Sequence, residues 1–329
     1  MHKRKLVAGV ILGLMLAPGT LLRTHVSVDA NGDLSTVRLT DVPETRSSGG
    51  FTREEVWHLS SPHLGFGGYS ALLVLGETTL RAFSDRGRLL TFAIPGQAEQ
   101  RQPRFATVWD RGDLSQTVND VEAATRDPNS GDYWLAFENS NAVIRYSIAS
   151  KYIRSRRPPA WQGWSKNSGA EAMARLPDGR FIILPERSST GLLYPSDPTG
   201  DVEPLEFASA IPGDFHPTDM AALPDGRVLV LLRQLDWTLP PFSSAIGIAD
   251  PRGLEEGATL DIELLVRLDT ILPRENYEAL ALAGVNNDGT VRLWLMSDDN
   301  LASFQRTLLA QLSWREEGAN SAHEKAREE

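Results

Sequence analysis

Glu171-Ala-Met-Ala-Arg-Leu-Pro-Asp-Gly-Arg-Phe-Ile-Ile-Leu-Pro-Glu186 reads as two short apolar strands folded about an Asp-Gly turn, with an acid at each end. Asp219-Met-Ala-Ala-Leu-Pro-Asp-Gly-Arg-Val-Leu-Val-Leu-Leu-Arg233 repeats it, including the string LPDGR at 176–180 and 223–227. Working outward, Glu122 opens a third copy, turns through Asp127-Pro128-Asn129-Ser130-Gly131 and reaches Glu138 after YWLAF. Glu278 opens a fourth, turns at Asn287-Asp288-Gly289 and reaches Asp298 after VRLWLMS. The most divergent copy starts at Ser70, turns near Gly76 and reaches Asp85 after TLRAFS.

The copies start at 70, 122, 171, 219 and 278, and further apolar runs such as AVIRYSI at 142–148 fill the gaps. A period of ~40–50 residues with about four strands per unit is the signature of propeller blades. The spacing predicts an all-β chain: a single β-propeller over residues 31–315, six-bladed, with four-stranded blades. The sixth blade is expected to be shared, strands near Glu54–Leu59 closing against Thr307–Trp314, which would leave no long sheet edge. An open sandwich is the alternative, and the even spacing argues against it.

Both ends read as separate from this domain. Lys3, Arg4 and Lys5 precede the uncharged stretch Leu6 to Leu22, so residues 1–30 read as an export signal or an N-terminal membrane anchor. Location in the periplasm, or anchored to the periplasmic face of the inner membrane, is the expectation. Residues 316–329 are polar and charged without apolar periodicity, and read as a disordered tail.

The formal net charge of -10 disfavours nucleic acid and favours cations. With no cysteine and few histidines, thiolate chemistry is excluded and zinc or copper is a poor match.

In an antiparallel hairpin the residue opening the first strand lies beside the one closing the second. Every blade should therefore deliver a pair to one rim of a central channel. Ser70, Glu122, Glu171, Asp219 and Glu278 form one expected ring; Asp85, Glu138, Glu186, Arg233 and Asp298 form the other, with Arg86 and Arg187 next to it. Crowded carboxylates repel by roughly 4 kcal/mol at about 4 Å and an effective dielectric of ~20. Arginine pairing, raised pKa values or a bound cation would relieve this, and Ca²⁺ prefers such an all-oxygen set. Alternatively, the acids simply accept backbone N–H groups from the neighbouring blade.

Weaker motifs are FGGYS at 66–70, which has part of a nucleophile elbow, the pair His216 and Asp219, and PPAWQGW, whose Trp161 and Trp164 are candidates to cover the channel.

An ordered set of short segments resembles the phytase-like family, also called the esterase-like activity of phytase family. It comprises FGGYSAL at 66–72, FSDRG at 83–87, DVEA at 120–123, NSGAEA at 167–172, PTD at 217–219, NYEAL at 276–280 and SDDN at 297–300. Ala123, Ala172 and Ala279 stand where that family usually has glycine. The resemblance, over about residues 60–315, implies an exported bacterial β-propeller that hydrolyses esters. The collar is too acidic for a highly phosphorylated substrate without metal, which argues against phytase activity proper. The reading is a metal-assisted hydrolase of an ester, phosphoester or lactone. Ca²⁺ would be held among Glu122, Glu171, Asp219 and Glu278, Glu186 or Asp298 would act as base, and Arg187 or Arg233 would stabilise charge. Ser70, Asp85, Arg86, Glu138 and Asn167 would contact the small-molecule substrate. The rival reading is a non-catalytic propeller that binds a ligand or partner at the cell envelope.

Overall fold

The Asp-Gly turns form where local chemistry demands them. Gly179 and Gly226 adopt φ of +92° and +91°, a region favouring glycine, and their N–H groups bond back to Leu176 and Leu223. Asp178 and Asp225 accept the N–H of Arg180 and Arg227, closing each loop with a side-chain turn. In the computed structural model, which describes residues 32–96, 102–108, 120–164 and 169–316, each hairpin so formed begins a twisted antiparallel sheet. The segment 1–30, Asn167 and the tail beyond Glu316 lie outside the described residues.

Five sheets stand around one axis. The first blade runs outward through Tyr69–Val74, Thr79–Ser84, Arg88–Ala93 and Arg104–Thr107. The second comprises Val121–Arg126, Tyr133–Phe137, Ala142–Tyr146 and Tyr152–Arg156. Blade three is Ala170–Arg175, Phe181–Pro185, Thr190–Tyr194 and Leu205–Ala210, edged by a parallel strand, Thr259–Asp261. Blade four is His216–Ala222, Val228–Leu235, Phe242–Ala249 and Glu263–Arg267. Blade five takes Asn276–Val285, Val291–Asp298 and Thr307–Trp314, then Phe51–Ser60 from the other end of the chain, with Ser35–Arg38 outermost.

The blade number corrects the sequence expectation: there are five blades, not six. Phe51–Ser60 does pair with Thr307–Trp314, Leu59 opposite Thr307, but as the fourth strand of blade five and not as a blade of its own. The long last interval, 219 to 278, holds no hidden blade either. Blade four uses it for eight-residue strands, a projecting hairpin and the strand lent to blade three.

Alternation along each strand sends successive side chains to opposite neighbours. The core is accordingly five apolar seams, each shared by two adjacent blades. Ala172 and Ala174 pack towards Met220 and Val230 of blade four, whereas Met173 packs towards Trp134 and Ala136 of blade two. The seam of Trp57, Trp294 and Met296 with Tyr69 and Leu72 joins blade five to blade one and completes the ring. Trp161 is fully buried in the seam between blades two and three, stacked on Trp164 at 5.3 Å. It fills the core and does not cover the channel.

Candidate functional site

All five inner strands start with the same irregularity. The ladder slips by one residue between Tyr69 and Ala71, Val121 and Ala123, Ala170 and Ala172, Pro217 and Asp219, and Tyr277 and Ala279. A β-bulge leaves the extra residue unpaired and re-aims its side chain. The residues so placed are Ser70, Glu122, Glu171, Thr218 and Glu278.

The bulge corrects one expected member of the ring. In blade four the position belongs to Thr218, and Asp219 falls one residue later, in phase with Ala71, Ala123, Ala172 and Ala279. Asp219 is fully buried; Oδ1 accepts the N–H of Met220 (2.8 Å) and Oδ2 that of Leu280 (2.7 Å) on blade five. It is an inter-blade clamp and no cation ligand. Hydroxyl members of the ring also tie blades together: Ser70 Oγ donates to the Val121 carbonyl and Thr218 Oγ1 lies 3.5 Å from that of Tyr277.

The three remaining members, Glu122, Glu171 and Glu278, converge from blades two, three and five. Glu122 is pushed well above the ordinary carboxylate range by burial, then by Glu171, Glu278, Asp120 and Glu138. Burial likewise raises Glu171 well above it, reinforced by Glu138, Glu186 and Glu278. In the second ring Asp85, Glu138 and Glu186 follow the last paired residue of their second strands, whereas Arg233 and Asp298 are themselves paired, opposite His216 and Asn276. Burial and Glu278 hold Asp298 well above its usual range, and burial moves Asp85 up to about 6.

Charge is divided unevenly across this mouth. On one side Arg233 Nη1 donates to Glu278 and to Asn276 Oδ1 (3.0 Å), while Nη2 lies 3.5 Å from Glu186 Oε1. Its guanidinium lies over the Phe242 ring, and Asn276 Nδ2 donates to Glu278 at 2.8 Å. Arg187 projects outward, held to Glu186 at 3.0 Å. On the other side Asp120, Glu122 and Glu138 bring carboxylate oxygens within 4.8 Å of one another. Among the described residues no arginine pairs with these three. Burial raises the pKa of Asp120 and Glu138 as well.

Asp120 is a site residue that the hairpin repeat does not pick out. Its signal is positional, because it precedes Glu122 by two residues as Asn276 precedes Glu278. It takes φ of +78°, and its carbonyl and Oδ2 accept the N–H groups of Glu138 and Asn139.

Other expected residues have structural occupations. Arg86 donates to the Phe66 carbonyl at 2.9 Å, and Glu138 Oε1 also accepts Gly169 N–H from blade three at 3.1 Å. In FGGYS, Gly68 donates to Asp299 (3.1 Å), and a Cβ there would collide with the Asp85 carboxylate. With Ser70 buried and bonded to a carbonyl, this is no nucleophile elbow. His216 Nδ1 bonds the Glu186 carbonyl (3.0 Å) while both Asp219 oxygens bond backbone, so the two form no catalytic pair.

The model of a family described as phytase-like, with esterase-like activity of phytase, matches residues 64–301. The chain belongs to this phytase-like family. The matched span runs from the loop before blade one to the mouth turn of blade five, and holds every collar residue. Among solved structures, the phytase-like chain is similar to a protein described as "the putative gluconolactonase" (13% identity, TM-score 0.44, 88% of this chain and 95% of that one). A functionally unknown protein from Desulfotomaculum acetoxidans is similar at 15% identity and TM-score 0.39, covering 80% and 77%. Hydrazine synthase of Kuenenia stuttgartiensis is similar at 13% identity and TM-score 0.40, over 70% of this chain and 56% of that one, so the present chain spans little more than half of it. No curated protein matches the sequence.

Proposed function

We propose that this chain is a divalent-cation-assisted hydrolase of an ester, phosphoester or lactone, working on the blade-two side of the mouth. The observation that carries the reading is the asymmetry of charge: a carboxylate triad, Asp120, Glu122 and Glu138, that no arginine pairs with among the described residues stands across the mouth from Arg233, which bridges Glu278 and Glu186. The triad fits a hard cation, being all oxygen, half-buried and held above its ordinary pKa. Ca²⁺ bound there would polarise the substrate oxygen and acidify a water.

The protein's own groups would do the rest. Glu171, whose proton is retained to higher pH by burial, is placed to exchange a proton with that water. Arg233, oriented by Glu278, Asn276 and Glu186, would face the charge that develops on the substrate. Glu186 is committed to two arginines and Asp298 stands beside Glu278, Asp299 and Asp85, whereas Glu171 borders Glu122 and Glu138 of the triad, so it suits the base role best. The family description and the gluconolactonase-like neighbour agree with ester or lactone chemistry. We place the protein outside the cytoplasm, held at a membrane by residues 6–22.

A non-catalytic reading has its own support, since Glu138, Asp219 and Asp299 all fasten one blade to the next through backbone N–H groups. One experiment separates the two. Ca²⁺ is titrated calorimetrically into metal-stripped protein, and hydrolysis of aryl esters, aryl phosphates and γ-lactones is followed with and without it. The hydrolase reading expects saturable binding and cation-dependent turnover, both lost in Glu122→Gln. Binding without turnover leaves a ligand-binding propeller, and no binding removes the cation from the mechanism.

A further inference from the structure

The hairpin joining the second and third strands of blade four rises beyond the mouth, its ladder continuing past Arg233 to Leu235 opposite Phe242. Its tip, Leu235-Asp-Trp-Thr-Leu-Pro-Pro241, exposes Trp237 completely, Leu239 to 85% and Leu235 to 78%. Large apolar groups left in water at one tip cost free energy, and the backbone beneath prevents their collapse. Arg274 donates to Asp236 (2.8 Å), to Thr238 Oγ1 and to the Phe242 carbonyl, while Asp236 N–H bonds the Pro241 carbonyl. The one carboxylate of the tip is thereby neutralised, and the apolar side chains are held outward.

The rest of the same face says what covers them. Among the described residues, Leu64, in the loop before blade one, and Phe304, in the mouth turn of blade five, are further large exposed apolar groups at this end of the hairpins. The chain also joins the fold here: Ser61 Oγ bonds the Gly32 carbonyl, and Ser35 lies opposite Ser60. The apolar stretch Leu6–Leu22 therefore leads into the mouth face, beside the blade that carries the hairpin, through nine intervening residues. Fully extended, those span about 30 Å. We propose that the Leu235–Pro241 hairpin is a membrane-docking finger, which inserts Trp237 and its flanking leucines into the bilayer interface and holds the mouth against the lipid surface. The proposal rests on Leu6–Leu22 acting as a membrane anchor. Tryptophan favours this zone because its ring is apolar and its N–H is satisfied among headgroups. With a net charge of -10 and an acidic mouth, the favoured surface is zwitterionic.

The absence of cysteine makes a site-specific test direct. Trp237→Cys in the full chain carries an environment-sensitive fluorophore, and Gly253→Cys, in an open turn at the opposite end of blade four, serves as control. Each labelled chain is reconstituted with phosphatidylcholine vesicles containing lipids spin-labelled near the headgroup. The expected result is a blue shift and several-fold stronger quenching at 237 than at 253. Flotation with the vesicles but equal quenching at both positions would overturn the finger and leave the anchor standing. Failure to float would overturn both. Neither readout depends on hydrolysis, so the outcome is independent of the catalytic reading.

Discussion

Asp219→Ala removes two acceptors from a place water does not reach. The carboxylate is fully buried and holds the N–H groups of Met220 and Leu280 at 2.8 and 2.7 Å, tying the inner strands of blades four and five. Hydrogen bonds to a charged group are worth about 1.5–3 kcal/mol each, so the pair amounts to roughly 3–6. Part of this is offset because burial penalises the ionised form, as its raised pKa shows. The expected net loss is about 2–4 kcal/mol, a fall in Tm of ~5–10 °C for a domain of this size. Asp219→Asn keeps one acceptor but turns an NH₂ towards the other N–H, so it should lose at least half as much. The assay is equilibrium denaturation in urea, read by tryptophan fluorescence, with Ca²⁺ calorimetry on the same samples. A loss below about 1 kcal/mol in Asp219→Ala, or a weakened Ca²⁺ affinity in a well-folded Asp219→Asn, would refute the assignment as a structural clamp.

Three further outcomes follow from the mouth. At a pH above its raised pKa, Glu122→Gln should raise the Tm of metal-free protein, because it removes a charge from a triad whose oxygens lie within 4.8 Å, where pairwise repulsion is about 3 kcal/mol or more at an effective dielectric of about 20; added Ca²⁺ should then stabilise the wild type but not the variant. Folded-state pKa values of Glu122, Glu171, Asp298 and Asp85 all lie above their unfolded values, so the native state binds the extra protons. Their contribution is fully present below pH ~4 and is lost as pH rises through the folded values, about 6 for Asp85. Metal-free protein should thus lose stability as pH rises through about 6 and beyond, measured by urea midpoints, and saturating Ca²⁺ should flatten the slope; a midpoint rising with pH would contradict the assigned directions. Arg233→Met should cost roughly 3–5 kcal/mol at pH 7 by stranding Glu278 and Glu186, both largely buried. Adding Glu278→Gln and Glu186→Gln to that variant should recover part of the loss, and no recovery would mean that packing on Phe242, not charge, is what the arginine provides.

Local sequence specifies whatever depends on neighbours along the chain. LPDGR specifies a hairpin because Gly must take positive φ and Asp closes the loop, and alternation then assigns each strand two buried faces. The pairing of Glu138 with Glu122, or Glu186 with Glu171, at one end of a hairpin follows from antiparallel geometry alone. Tertiary structure decided the rest. Phe51–Ser60 completes the fifth blade because it finds Thr307–Trp314, a partner some 250 residues away, and no local signal distinguishes that from a sixth. The bulge that gives Thr218 the ring position and buries Asp219 is a one-residue shift, invisible to spacing because acids at either position look alike. Arg233 reaches Glu278 only because blades four and five are adjacent. Inter-blade packing thus gives Glu278 and Glu186 an arginine partner, whereas among the described residues no arginine pairs with Asp120, Glu122 or Glu138.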